Sequence, residues 1–295
     1  MADKPTLKPK TAVGPALSAA AGEILARARA AMGDPQLSSQ DAVHQFRRAM
    51  KQWRALMRLL APFVPDAERL RVEARDHARS LASARDGQAA LNALDHLGEK
   101  SAAPLSARST ASVRERLETL RGSEERAVLT DALRDTIAAW LDATATAAEL
   151  WPLDAVAFTA VAAQLAAGFK SARQRMPADC GLATPEELHE LRQRVVNHRY
   201  QMELVEPLWP RFGRMWTGEA ERLRDRLGKY QDLAVLERLT GPHQPLAHWR
   251  SRLVPGCAEQ RAALSKRAER IARRLFAERP KAFRQRLEAL WEDAR

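Results

Sequence analysis

The side chains best placed to do chemistry are His44, Arg47, Lys51, Arg54 and Arg58, which recur every three or four residues. At about 100° per residue they fall within roughly 80° of one another on a helix. Arg48 stands immediately beside this stripe. Phe46, Met50, Trp53, Met57 and Leu60 fill the neighbouring arc, so they are expected to face a core while the cations line its shoulder. Between Asp41 and Asp66 no carboxylate interrupts the five Arg/Lys residues, whereas a solvated helix intersperses both signs. Guanidinium forks match phosphate oxygens, lysine adds a point charge, and imidazole donates to the same oxygens. Side chains seven and fourteen residues apart are separated by about 10 and 21 Å along a helix axis. That spacing suits a linear polyanion better than a single small phosphate.

The pattern occurs twice. Residues 41–65 align without a gap onto 186–210 at a constant offset of 145, with seven identical pairs. Among them are His44/His189, Arg47/Arg192 and Arg54/Arg199. Recurrence weighs against a stripe that merely covers the core with its aliphatic stems. The copies differ in charge: residues 41–65 hold five basic side chains against one acidic, and 186–210 hold three against five. Arg194 lies off the second stripe on the wheel, so the first copy is expected to be the main anchor.

Helices must position these side chains. Helical period runs through about 15–32, 38–61, 65–98, 105–122, 124–150, 153–176, 184–207, 211–240, 243–254, 257–278 and 280–294, with Gly and Pro between them. Ser38 with Asp41, and Thr184-Pro185-Glu186-Glu187, provide helix starts. No alternating strand pattern competes, and the fold class is all-α. Residues 1–13 read as a flexible tail. The repeat divides the rest into two helical bundles, 14–151 and 152–295.

Composition limits the partners. The 295 residues carry 48 Lys+Arg against 37 Asp+Glu, a net charge of +11 that favours polyanions. No run of about 18 apolar residues suggests a membrane span. The Ala-rich stretch 16–21 continues into Glu23, Arg27 and Arg29 as one amphipathic helix rather than a secretory leader. Cys180 and Cys257 are too few for a disulfide framework. A cytoplasmic protein is expected, and oligomeric state is not indicated.

Two rival chemistries share these residues. Asp41-x-x-His44 and Glu186-x-x-His189 have the carboxylate and histidine spacing of di-metal bundle enzymes. Arg47 and Arg192, one turn away, would repel a dication. Nucleic-acid binding uses the same phosphate contacts, and weak nonspecific binding is expected from the net charge. No helix-turn-helix, zinc-finger or RNA-motif pattern is visible. His198 falls on the apolar arc and is expected in the core. Asp86 and Asp232 are expected to orient arginines, and Cys180 to have no redox role.

The motif H-x-x-R-x-x-x-[KR]-x-x-R, as His44, Arg47, Lys51 and Arg54, resembles that of the CHAD family, the conserved-histidine α-helical domain. The second copy, His189, Arg192, Arg194 and Arg199 within the L-H-x-L-R-x-R-V opening of 188–195, resembles it too, as does RLGKYQDLAVL at 226–236. The likeness spans roughly residues 15–290. It implies two four-helix bundles related by a pseudo-twofold axis, with a basic groove that binds inorganic polyphosphate and an association with polyphosphate granules. By the same likeness Lys170 and Arg173 reach the groove. Some members of the family are fused to a triphosphate-cleaving domain with an E-x-E-x-K signature. That signature does not occur here, so a binding protein without catalytic residues, metal or cofactor is expected.

Overall fold

The computed structural model describes residues 6–81, 85–100, 105–125 and 129–294. The first half of the chain forms α1 (Val13–Gly33), α2 (Ser39–Leu60), α3 (Ala67–Ser80), α4 (Arg85–Lys100), α5 (Ala107–Glu125) and α6 (Asp131–Glu149). The second forms α7 (Phe158–Gln174), α8 (Pro185–Leu204), α9 (Pro210–Arg238), α10 (Arg250–Leu275) and α11 (Pro280–Asp293). No strand occurs among the described residues, and the fold is all-α.

The two repeat helices begin as their caps dictate. Ser38 Oγ accepts from the Asp41 N–H at 3.1 Å at the start of α2. At α8, Thr184 Oγ1 accepts from the Glu187 N–H at 3.2 Å, and Glu187 Oε2 accepts from the Thr184 N–H at 2.8 Å. This reciprocal pair satisfies two donors that the first helical turn leaves without partners.

α2 packs between α1 and α3, and α6 closes against α1. Phe46, Met50 and Trp53 are fully buried there, on the arc the sequence assigned to the core. The α6 residue Trp140 donates its indole N–H to Glu73 of α3 at 2.9 Å. In the second half α7 packs against α8 and α11, and α8 against α9. Phe169 stacks on Phe283 with ring centroids 4.3 Å apart. His198, at the repeat position of Trp53, lies in this core and its Nε2 accepts from the Trp216 N–H at 2.9 Å. Burial, with Arg286 nearby, pushes the imidazole down to about 3, so it is held neutral. α4 instead packs on α9, with α5 and α10 beside it; Asp86 of α4 pairs with Arg238 at the end of α9.

The halves interlock where the repeat helices cross. Gln201 Nε2 donates to the Ala55 carbonyl at 3.2 Å, and Arg58 to Asn197 Oδ1 at 3.3 Å, so α2 and α8 run antiparallel. Ala55 and Tyr200 are equivalent in the repeat, as are Leu56 and Gln201, so the two helices meet at matching points. Gly14 allows a second junction. A Cβ there would sit 2.1 Å from the Leu153 carbonyl oxygen, closer than any side chain permits.

Three features depart from the sequence reading. Leu7, in the expected tail, is fully buried and its N–H bonds the Leu204 carbonyl at 2.6 Å, because burying this apolar side chain anchors the segment. The expected helix over 65–98 is two helices, α3 and α4, and α4 buries Leu91 and Leu94 in a new direction. Conversely, Pro255 lies inside a single continuous α10. Leu253 and Cys257, on either side of it, are buried at 1 % and 0 % exposure, and that packing outweighs the missing N–H. Among the described residues, no helix is long and apolar enough to cross a membrane.

Candidate polyanion-binding site

The first stripe lies where its wheel position requires. His44, Arg48 and Lys51 are exposed on α2, and Arg47, Arg54 and Arg58 are half-buried. The half-buried positions adjoin the apolar arc, so their aliphatic stems pack against it.

At the C-terminal end of α2 the cations crowd. The charged neighbours acting most strongly on Arg58 are Arg71, Arg54, Arg194 and Glu68; those acting on Arg54 are Arg71, Arg75, Arg79 and Asp76. Three helices therefore converge: α2 gives Arg54 and Arg58, α3 gives Arg71, Arg75 and Arg79, and α8 gives Arg194. Burial first, then these like charges, push Arg58 down from the usual arginine value to about 10. Arg54 is lowered by the same two causes. Among the described residues its buried Nε–H has no hydrogen-bond partner. Two carboxylates offset part of the charge from the rim. Arg71 holds Glu68 through its Nε at 2.7 Å and a second, shorter contact, and Arg75 Nε lies 2.9 Å from Asp76 Oδ1. The Glu68 side chain is 68 % exposed and that of Asp76 54 %, so both are open to displacement.

The α3 arginines do not stand out in the sequence, because Glu68, Glu73 and Asp76 make that helix look like a solvated mixed-charge face. The available signal was the spacing of Arg71, Arg75 and Arg79 at every fourth residue. Arg194, off its own stripe on the wheel, joins the first copy's cluster because α8 crosses α2 there. Asn197 belongs to the same contact as a neutral acceptor for Arg58.

The second stripe has different neighbours. Arg199, the counterpart of Arg54, pairs with Glu203 at 2.9 Å and Glu221 at 2.5 Å, and its side chain is only 13 % exposed. Glu203 stands at the repeat position of Arg58. Arg192 lies against α9 at Gly228, where a Cβ would make ordinary contact with its guanidinium at 3.5 Å. His189 is half-buried on α8, and on α7 Lys170 is exposed and Arg173 half-buried. α7 packs against α8.

The carboxylates and thiols have other surroundings. Asp41 accepts from the Ser38 hydroxyl at 2.6 Å as part of the cap. Among the described residues no group of His, Cys, Asp and Glu could hold a metal ion. Both thiols are buried, which pushes Cys180 up to about 11 and Cys257 to about 12. Asp86 pairs with an arginine as expected, but with Arg238 on α9 rather than with the stripe.

The crystal structure of the CHAD domain from the plant Ricinus communis has 21 % sequence identity and a TM-score of 0.54, covering 98 % of this chain and 96 % of that one. No curated protein matches the chain. The family model for the CHAD domain matches residues 15–241, which include both repeat copies and every arginine of the cluster. The chain belongs to the CHAD-domain family.

Proposed function

We propose that this protein binds inorganic polyphosphate, without cleaving it, on the surface centred on Arg54 and Arg58. The observation that carries the reading is the convergence of Arg54, Arg58, Arg71, Arg75, Arg79 and Arg194 from three helices, with only Glu68 and Asp76 among the dominant opposing charges. Guanidiniums held this close repel one another, and a dense anion removes that cost. A linear polymer offers a phosphate to each fork in turn and displaces the exposed Glu68 and Asp76 carboxylates. Lys51, Arg47, Arg48 and His44 extend the path along α2; Arg192, His189, Lys170 and Arg173 are its proposed continuation in the second half. Family membership supports the same ligand. Granule association and a cytoplasmic setting belong to this proposal.

The test is competition at fixed salt. Long-chain polyphosphate bound to the protein should resist displacement by duplex or single-stranded DNA at equal phosphate concentration. Displacement by DNA would favour a general nucleic-acid binder, and shortening of the polymer during incubation would reveal an enzyme. Affinity for polyphosphate should also fall steeply as salt rises, because phosphate contacts release counterions.

A further inference from the structure

A second strongly basic surface lies outside the residues matched by the family model, on α10 and the turn into α11. From Lys266 to Arg286 there are nine Lys/Arg and two Glu. At about 100° per residue, Lys266, Arg267, Arg270, Arg273 and Arg274 fall within roughly 120° of one another on α10. All five are exposed. They span about 12 Å of helix at 1.5 Å per residue. Arg279 and Lys281 continue the exposed charge past the end of α10.

The acidic residues of this segment are already engaged. Glu269 pairs with Arg273 at 2.5 Å, and Glu278 with Arg286 at 2.8 Å. Glu269 also accepts from the Cys180 N–H at 3.2 Å. Cations at a helix C-terminus favour its dipole, but that effect is confined to the last turn. It accounts for Arg273 and Arg274 and leaves Lys266, Arg267 and Arg270 unexplained. Core packing does not explain them either, since α10 buries Leu264, Ala268, Ala272 and Leu275 on its other side.

We infer that the α10 stripe is a second polyphosphate-contact surface, so that one protein molecule bridges two polymer segments. The inference rests on the function proposed above. Charge complementarity identifies the occupant: a flexible polyanion can follow a 12 Å row of cations without needing a pocket. α10 packs on α9 and α4, whereas the Arg54–Arg58 cluster is built from α2, α3 and α8. The two surfaces therefore rest on different helices and can be altered independently.

A sandwich assay tests the bridge. Beads carrying immobilised long-chain polyphosphate are loaded with the full chain, washed, and offered a second, fluorescent polyphosphate. Wild type should load and capture the second polymer. A variant with Lys266→Gln, Arg267→Gln, Arg270→Gln and Arg274→Gln alters only exposed side chains; it should still load through the Arg54–Arg58 cluster and, per molecule loaded, capture at least tenfold less. Its salt dependence in free solution should also flatten, because fewer phosphates are neutralised and fewer counterions released. Equal capture by the variant would overturn the inference, as would a wild type that loads but captures nothing. Arg54→Gln with Arg58→Gln should reduce loading itself. A wild type that fails to load would instead overturn the proposed function, and the bridge with it.

Discussion

Arg54 and Arg199 occupy the same position of an internal repeat, yet they live in opposite electrostatic settings. Arg54 faces Arg71, Arg75 and Arg79 of α3, and its neighbour Arg58 meets Arg194. Arg199 faces Glu221 of α9, and the position equivalent to Arg58 is Glu203, which pairs with it. One copy of the motif accumulates unbalanced charge, and the other neutralises it inside the protein. A repeated sequence motif thus fixes where a side chain points, while the next helix decides whether it is available to a ligand.

The largest expected effect follows directly. Arg54→Gln with Arg58→Gln should weaken polyphosphate binding by about 10²- to 10⁴-fold, taking about 1.5–3 kcal/mol for each charge-assisted contact. Its melting temperature should move little, because the packing given up is offset by relief of repulsion. Arg199→Gln reverses that pattern. It takes one cation from the buried Glu203 and from Glu221, which keeps Arg224 at 2.5 Å, and should cost about 2–3 kcal/mol of stability by denaturant titration. Its affinity for polyphosphate should stay within about threefold of wild type.

The repeat position held by Trp53 and His198 gives a third contrast. The folded protein holds His198 at about 3, below the ordinary histidine value of 6.5. Neutral His198 therefore contributes stability that is fully present above pH 6.5 and is lost as pH falls toward 3. Between pH 6.5 and pH 5 the loss should be about 2 kcal/mol. Thermal melts across that range should show it, and His198→Phe should flatten it. The smallest effect concerns Arg194, which by sequence belongs to the second copy and by location to the first. Arg194→Gln should weaken binding about tenfold, a loss of about 1.4 kcal/mol, with little change in stability.

Much of this was legible in the sequence. The period of α2 separated Trp53 and Phe46 from Arg54 and Arg58, and the Thr184 capping box marked the start of α8. His198 was placed in the core because it shares the arc of Trp53. What stayed hidden depends on packing between segments distant in sequence. The basic role of α3 emerges only when Arg71 and Arg75 are set against α2, since both pair with nearby carboxylates in their own helix. Arg194 enters the cluster through a crossing between segments more than a hundred residues apart, which no local period encodes. That α4 packs on α9 rather than continuing α3 likewise depends on segments distant in sequence, and α10 runs through Pro255 with buried side chains on both sides of it.

The central claim is that unbalanced charge around Arg54 and Arg58, rather than the motif itself, makes the binding surface. Isothermal titration of one long polyphosphate at one salt concentration, into wild type, the Arg54→Gln/Arg58→Gln variant and Arg199→Gln, tests it most directly. Circular dichroism should first show all three folded. The account predicts a loss of at least a hundredfold for the double variant and less than about threefold for Arg199→Gln, as the interaction energies above require. Equal losses in the two variants would contradict it, and so would a larger loss for Arg199→Gln.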